Sequence, residues 1–269
     1  MEAWSQKLNL IRELVLKDLK IRYSRPMLGF LWAFLSPILT VVVFYVIFGL
    51  VLKVKTEEAP FVLYLMSGVF PWMFFQDSIF KSITSLVDNK NLIKESCFPH
   101  YLIPVSIVMT NAIIFLPSLF IIVFSSFFIL KGLPSFIVLL PIVLIVHLTI
   151  TILLSIVFSI LYVRWRDVKY ALEALFLLLF YLTPIFYSIS LLKALFPDAL
   201  YKAYVSNPLV GISSLYRITL LKDFYGITKN YIGFLSIVTE VAIFIIVISG
   251  CAVYLYRKNK GVINDYLAY

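Results

Sequence analysis

The sequence predicts an all-α integral membrane protein with six transmembrane helices, and three observations carry that prediction. Of 269 residues, 62% are hydrophobic and only 14% are charged. The mean hydropathy of +1.01 exceeds what a soluble core with a solvated surface requires. Six apolar runs have about the length, roughly 20 residues, that carries a helix across a ~30 Å hydrocarbon core. Helix is the state expected of each, because a backbone in lipid must satisfy its own hydrogen bonds.

The elements follow in order. Trp4, Leu8, Ile11, Val15 and Leu19 recur at steps of three or four, with Lys7, Arg12, Lys17 and Lys20 largely elsewhere on the wheel. Residues 1–29 therefore read as a cytoplasmic interface segment built on an amphipathic helix. Residues 30–187 hold the first five spans: Phe30 to Leu52, Phe61 to about Phe80, about Leu102 to Leu130, Leu133 to Val163, and about Tyr170 to Tyr187. The second and third are separated by LVDNKNLIKESCFP (86–99), charged in a greasy context. Asp88 as N-cap and Phe98 before Pro99 as the stop predict a short cytoplasmic helix there, of about two turns. Residues 188–230 are semi-apolar and interrupted by Pro197 and Pro208, which predicts short re-entrant helices. The sixth span covers 231–256, and 257–269 form a tail; all of 1–269 reads as one transmembrane domain.

Orientation follows from Lys and Arg. With the N-terminus inside, fifteen of the 23 fall on inner segments and eight on outer ones, so both termini are expected in the cytoplasm. The net charge of +9 is explained by basic membrane loops; no stacking module accompanies it, and nucleic acid is not expected as a partner.

Much chemistry is excluded. None of the nine glycines pairs at phosphate-loop spacing, so ATP hydrolysis is expected from another chain. His100 and His147 are the two histidines, and neither HExxH nor GxSxG occurs. Cys97 and Cys251 suggest neither disulfide nor metal site. Asp77, Glu173, Glu240 and His147 are the ionisable groups in or near spans, and they form no relay. No cofactor and no catalytic residue is expected in this chain. The aromatic content is 17%. Bilayer belts account for most of it, while rings on a central path would let sugar C–H faces slide past. The first and fifth spans supply candidate lining rings: Phe34, Phe44, Tyr45 and Phe48, then Phe176, Phe180, Tyr181, Phe186 and Tyr187.

Three blocks, LVLKDLKIRYSRPMLGFLWAFLSPILT (14–40), YLMSGVFPWMFFQDSIFKSITSLVDNKNLIKESCFP (64–99) and DVKYALEALFLLLFYLTPIFYS with SNPLVGI (167–188, 206–212), resemble the membrane subunit of ABC-2 type polysaccharide exporters, most closely the O-antigen permeases. The resemblance implies a homodimer in the cytoplasmic (inner) membrane, bound to two copies of a separate ATPase that holds ATP and Mg. It implies a lipid-linked polysaccharide substrate, of the O-antigen, capsule or teichoic acid class, moving through a channel between the two halves. The short inner helix then reads as a coupling helix, with Asp88, Asn91, Leu92, Ile93, Lys94, Phe98 and Pro99 docked in a groove of the ATPase. Lys20, Arg22 and Arg25, with Arg164 and Arg166 as a second cluster, are placed to meet a lipid diphosphate, since a guanidinium holds phosphate bidentately. Positive-inside topology alone would also account for these charges. Two departures stand out: His100 and Tyr101 occupy positions where the family often has Arg-Glu, and Pro26 replaces a small or polar residue. The rival readings are an ion-gradient-driven lipid or sugar flippase, which lacks an intramembrane acidic pair here, and a membrane glycosyl- or phosphotransferase, which lacks gathered catalytic groups.

Overall fold

The computed structural model describes residues 2–24, 28–54, 56, 59–95, 98–229, 231 and 233–268. Its elements are helical throughout the described residues. Helix α1 (Glu2–Tyr23) leads to α2 (Trp32–Phe44), which continues as a π-helical stretch, Tyr45–Val51. Then come α3 (Phe61–Ile83), the single turn α4 (Ser85–Asp88), α5 (Lys90–Glu95), α6 (Leu102–Ile129) and α7 (Leu140–Arg164). After α8 (Val168–Leu182) four short helices follow, α9 (Ile189–Leu195), α10 (Asp198–Val205), α11 (Pro208–Leu220) and α12 (Phe224–Thr228), before the long α13 (Phe234–Ala268).

Among the described residues, four helical stretches are long and apolar enough to cross a membrane: Gly29–Val51, Leu102–Ile129, Ile137–Arg164 and Phe234–Asn259. The chain is a multi-pass membrane protein. The second expected span, α3, is set apart by its surroundings. It packs against α6, α7, α2 and α11, and most of its apolar residues are buried together with the small Ser67, Gly68, Ser78 and Ser82. A helix wrapped by protein has no need of uniformly apolar side chains. Gly68 belongs to this packing, since a Cβ there would stand 3.2 Å from an Arg217 nitrogen and 3.3 Å from the Ile185 backbone.

The fifth expected span is shorter than its apolar run. Helix α8 ends at Leu182, and Thr183 to Tyr187 leave the helix. Pro184 supplies the reason, because a proline disfavours helical backbone in the residue before it, and Thr183 is extended. The amphipathic α1 forms as expected, but its buried stripe differs in detail. Val15 is buried and Ile11 and Leu19 half-buried, whereas Leu8 is exposed. The side chain of Trp4, and residues Arg25 and Pro26 with the cap or kink expected there, lie outside the described residues.

The bundle has two ends. At the proximal end α5 packs on α13, and Leu86, Ile93, Ile103, Ile160 and Val163 form a small separate core with Phe98 and Tyr256 against it. At the distal end α11 lies between α3, α7 and α13. The hydroxyl of Ser126, near the end of α6, donates to the Leu220 carbonyl at 2.6 Å.

Candidate functional site

The charged proximal segment folds back on its own bundle. Asp88 does not cap α5: it closes α4, where its carboxylate accepts from Thr84 Oγ1 at 2.5 Å. Asn89 precedes α5 and donates from its amide to the Ser85 carbonyl at 2.9 Å. The expected short helix is α5, beginning at Lys90 and preceded by the separate turn α4, where the polar side chains at 84–89 satisfy backbone and one another locally. Within α5 the apolar pair divides. Ile93 is 6% exposed and belongs to the small core, while Leu92 is only half-buried. Ile93 is therefore corrected from a docking residue to a packing residue. Lys90, Asn91 and Lys94 are exposed, and Phe98 and Pro99 are half-buried. Ser96 and Cys97 lie outside the described residues.

The basic residues near the first span also separate. Arg22 pairs with Asp18 at 2.9 Å and donates to Asn111 Oδ1 on α6 at 2.6 Å, which turns its guanidinium into the bundle. Beside it, burial raises the Tyr23 phenol above its usual pKa, an effect partly opposed by the Arg22 charge. Lys20 is exposed, and Arg25 lies outside the described residues. Arg164 lies over the Trp165 ring at 5.0 Å and Arg166 over Tyr162 at 4.9 Å, so this second cluster stands at the end of α7 with its charges exposed.

Phe44, Phe48, Phe176, Phe180, Tyr181 and Phe186 belong to one connected aromatic cluster, whereas Phe34 meets Phe30 and Tyr45 meets Phe61. Phe48 stacks on Phe186 with centroids 4.5 Å apart, and Phe44 meets both Phe186 and Phe180 at 5.0 and 5.9 Å. Phe180 reaches Trp72 at 5.5 Å, and Phe176 stacks on Phe75 at 5.4 Å. Phe176 and Phe186 are each 3% exposed. Those two are corrected from lining residues to core residues, because the break at Pro184 folds Phe186 back against α2 instead of extending the helix. Phe34, Phe44, Tyr45, Phe48, Phe180 and Tyr187 are half-buried, and Tyr181 is exposed. The last thus has the most open ring of the set.

The deeper ionisable groups meet different fates: His147 finds a partner, whereas Glu240 is only partly satisfied, its Oε2 buried without a hydrogen bond. His147 Nδ1 lies 3.1 Å from the Tyr216 hydroxyl, with Phe74 edge-on at 5.1 Å. Glu240 Oε1 accepts from Ser206 at 3.4 Å. Asp77 pairs with Lys81 at 3.4 Å, and Glu173 is exposed.

One residue escaped the sequence reading. Arg217, counted among outer-loop charges, is fully buried on α11. Its guanidinium carbon sits 3.6 Å from the Tyr64 ring centroid. It donates to the Pro184 carbonyl and, at 3.4 Å, to the Ile185 carbonyl. Tyr64 completes the join by donating to the Tyr187 carbonyl at 2.8 Å. Arg217 thereby fastens α11 to α3 and to the chain break after α8. The signal was present: Arg217 is the one charge between Pro208 and Leu221, and a lone arginine in an apolar helix needs local acceptors.

The ABC-2 type transporter family matches residues 9–221. The chain is 32% identical over 235 residues to the O-antigen export system permease protein RfbA of Klebsiella pneumoniae, covering 85% of this chain and 88% of that protein. A second Klebsiella pneumoniae protein of the same name is 33% identical over 202 residues, 75% and 76% of the two chains. The Myxococcus xanthus protein of that name is 30% identical over 208 residues, 77% and 78%. With a match running from α1 through α11 and relatives sharing most of their length with it, the chain belongs to the ABC-2 type transporter family.

Proposed function

We propose that this chain is the channel-forming subunit of an ATP-driven exporter of undecaprenyl-diphosphate-linked polysaccharide, with O-antigen as the cargo and capsule or teichoic acid as related alternatives. The observation that carries the reading is the family match together with three relatives named as O-antigen export permeases, at 30–33% identity. The sequence has no phosphate-loop glycines, so ATP and Mg belong to a separate ATPase, two copies of which serve a homodimer of this chain. The protein sits in the cytoplasmic membrane with both termini inside, following its Lys and Arg distribution. Helices α3 and α8 complete a set of six spans, and α9–α12 form a re-entrant outer gate region.

In this reading 1–29 form the interface segment, 30–187 the first five spans, 188–230 the gate region, 231–256 the sixth span and 257–269 the tail. Lys20 and Arg25, with Arg164 and Arg166, meet the lipid diphosphate at the inner headgroup level. Arg22, held by Asp18 and Asn111, faces away from that task. The ATPase reads the exposed side of α5, Lys90, Asn91, Leu92 and Lys94, while Ile93 transmits its position to the ends of α6 and α7. Tyr181 and the half-buried rings of α2 line the path.

Co-expression with the ATPase encoded beside this chain tests the proposal. The expected result is co-purification, hydrolysis stimulated by the permease, and ATP-dependent appearance of polymer on the far side of inverted vesicles. Transport sustained by an ion gradient without that ATPase would overturn it in favour of a flippase. Sugar transfer by the isolated chain would overturn it in favour of a transferase.

A further inference from the structure

A cavity of about 330 Å³ lies between α1, α2, α3 and α6, a volume within the range of small-molecule sites. Its walls change character along their length. Arg22, Asp77, Lys81 and Asn111 stand at one end, and Phe70, Phe74, Phe115 and Pro37 are among the apolar lining residues. Phe70 lies about 16 Å further along α3 than Lys81 at the helical rise per residue. The cavity is therefore charged toward the proximal end and apolar with depth, the gradient that a lipid headgroup and chain present to a membrane protein.

The charges come in balanced pairs. Arg22 Nη2 meets Asp18 Oδ2 at 2.9 Å, and Lys81 Nζ meets Asp77 Oδ2 at 3.4 Å. Lys81 is within electrostatic reach of Arg22 and Asp18 as well as Asp77, so the four groups act as one cluster of no net charge. A diphosphate carries several negative charges and no amine, and such a cluster offers it no net attraction. A headgroup with one phosphate and one ammonium complements the charges on the cavity wall: Arg22 and Lys81 suit the phosphate and Asp77 the ammonium, while Asp18 backs Arg22 from outside the cavity. The Lys81–Asp77 contact is long for a hydrogen bond and the two side chains are 43% and 60% exposed, so this pair has room to open around a guest.

We infer that this cavity is a binding site for a zwitterionic aminophospholipid of the ethanolamine class, its headgroup at Arg22, Lys81 and Asp77 and its hydrocarbon along Phe70 and Phe115. The site is separate from the diphosphate path assigned above and does not depend on which polymer is exported. A lipid seated there ties the interface helix α1 to spans α2, α3 and α6.

The test uses the full-length chain, purified in mild detergent, incubated with equal amounts of phosphatidylethanolamine and phosphatidylglycerol, and examined by native mass spectrometry. The expected result is stoichiometric retention of phosphatidylethanolamine, preferred by about five-fold, the scale of one partly exposed charge contact. Asp77→Asn removes the preference. The double exchange of Asp77→Lys with Lys81→Asp preserves both charges and restores it, and Ala33→Phe, which narrows the apolar wall, lowers retention of both lipids. Equal or greater retention of phosphatidylglycerol or of undecaprenyl diphosphate by the unaltered chain overturns the inference. No retained lipid, as when a second copy of the chain fills the space, overturns it also. Should a variant fail to fold, the preference of the unaltered chain decides the matter alone.

Discussion

Two charged interruptions of this apolar sequence end in opposite environments. Between α3 and α6, Lys90 and Lys94 remain exposed, while Leu86 and Ile93 turn inward. Between α8 and α13, the chain dives into the bundle and takes Arg217 with it, fully buried. The difference lies in the acceptors at hand. A break after α8 leaves the Pro184 and Ile185 carbonyls free of a helical ladder, and a tyrosine face stands beside them. The exposed lysines of the proximal segment stay at the surface. In a membrane protein the address of a charge is set by the backbone groups that its neighbours leave open.

The contrast is broken most sharply at Arg217. Arg217→Met should cost about 3 kcal/mol or more, the scale for disrupting a buried charged network, and should lower the thermal unfolding temperature of the purified chain; an unchanged temperature would mean that the anchor holds nothing. Next comes Ile93→Asp, which buries an unpaired carboxylate and should destabilise the proximal core by about 2 kcal/mol or more. Its neighbour sharpens the point. Leu92→Asp should leave unfolding nearly unchanged yet abolish co-purification of the ATPase, and retained binding with export would remove α5 as the docking element. Tyr216→Phe takes away the partner of His147 at a cost of about 1 kcal/mol, readable in the same melt. Smallest are Lys90→Ala and Lys94→Ala, expected within about 0.5 kcal/mol for stability, with any loss confined to ATPase affinity in a pull-down titration.

Where apolar length alone decides structure, the sequence was a good guide. α6 begins and ends within a residue of the run that announced it, and α7 ends within a residue of its own though it begins seven later, beyond Pro134, since a long apolar stretch between charges has one solution in lipid. Legibility failed where tertiary partners decide. The break at Thr183 was written in the LTPIF string, yet the aromatic residues beyond it continued the apolar run and masked the stop. Phe186 and Phe176 looked like channel rings because composition does not tell which face of a helix meets its own chain. Asp88 had the chemistry of a cap, but Thr84, one turn earlier, claimed its carboxylate first. Arg22 carried the right charge for phosphate, and only the fold brought Asp18 and Asn111 to it.

Helix α13 joins the two contrasted regions. Its 35 residues extend about 52 Å at the α-helical rise, well beyond a ~30 Å hydrocarbon core, and no proline interrupts it. α11 packs on it in its first turns, where Gly211 lies against Ile237 and Val241, and α5 packs on it further along, with Tyr256 against the core that holds Ile93. It is a drive shaft: a twist imposed where α5 touches it arrives at α11 with no hinge to absorb it. One alanine inserted after Gly250 would turn the two halves about 100° out of phase and disengage the shaft while leaving both contact surfaces intact. ATP hydrolysis that continues without polymer export would be its signature, and undiminished export would show that the two ends do not turn together.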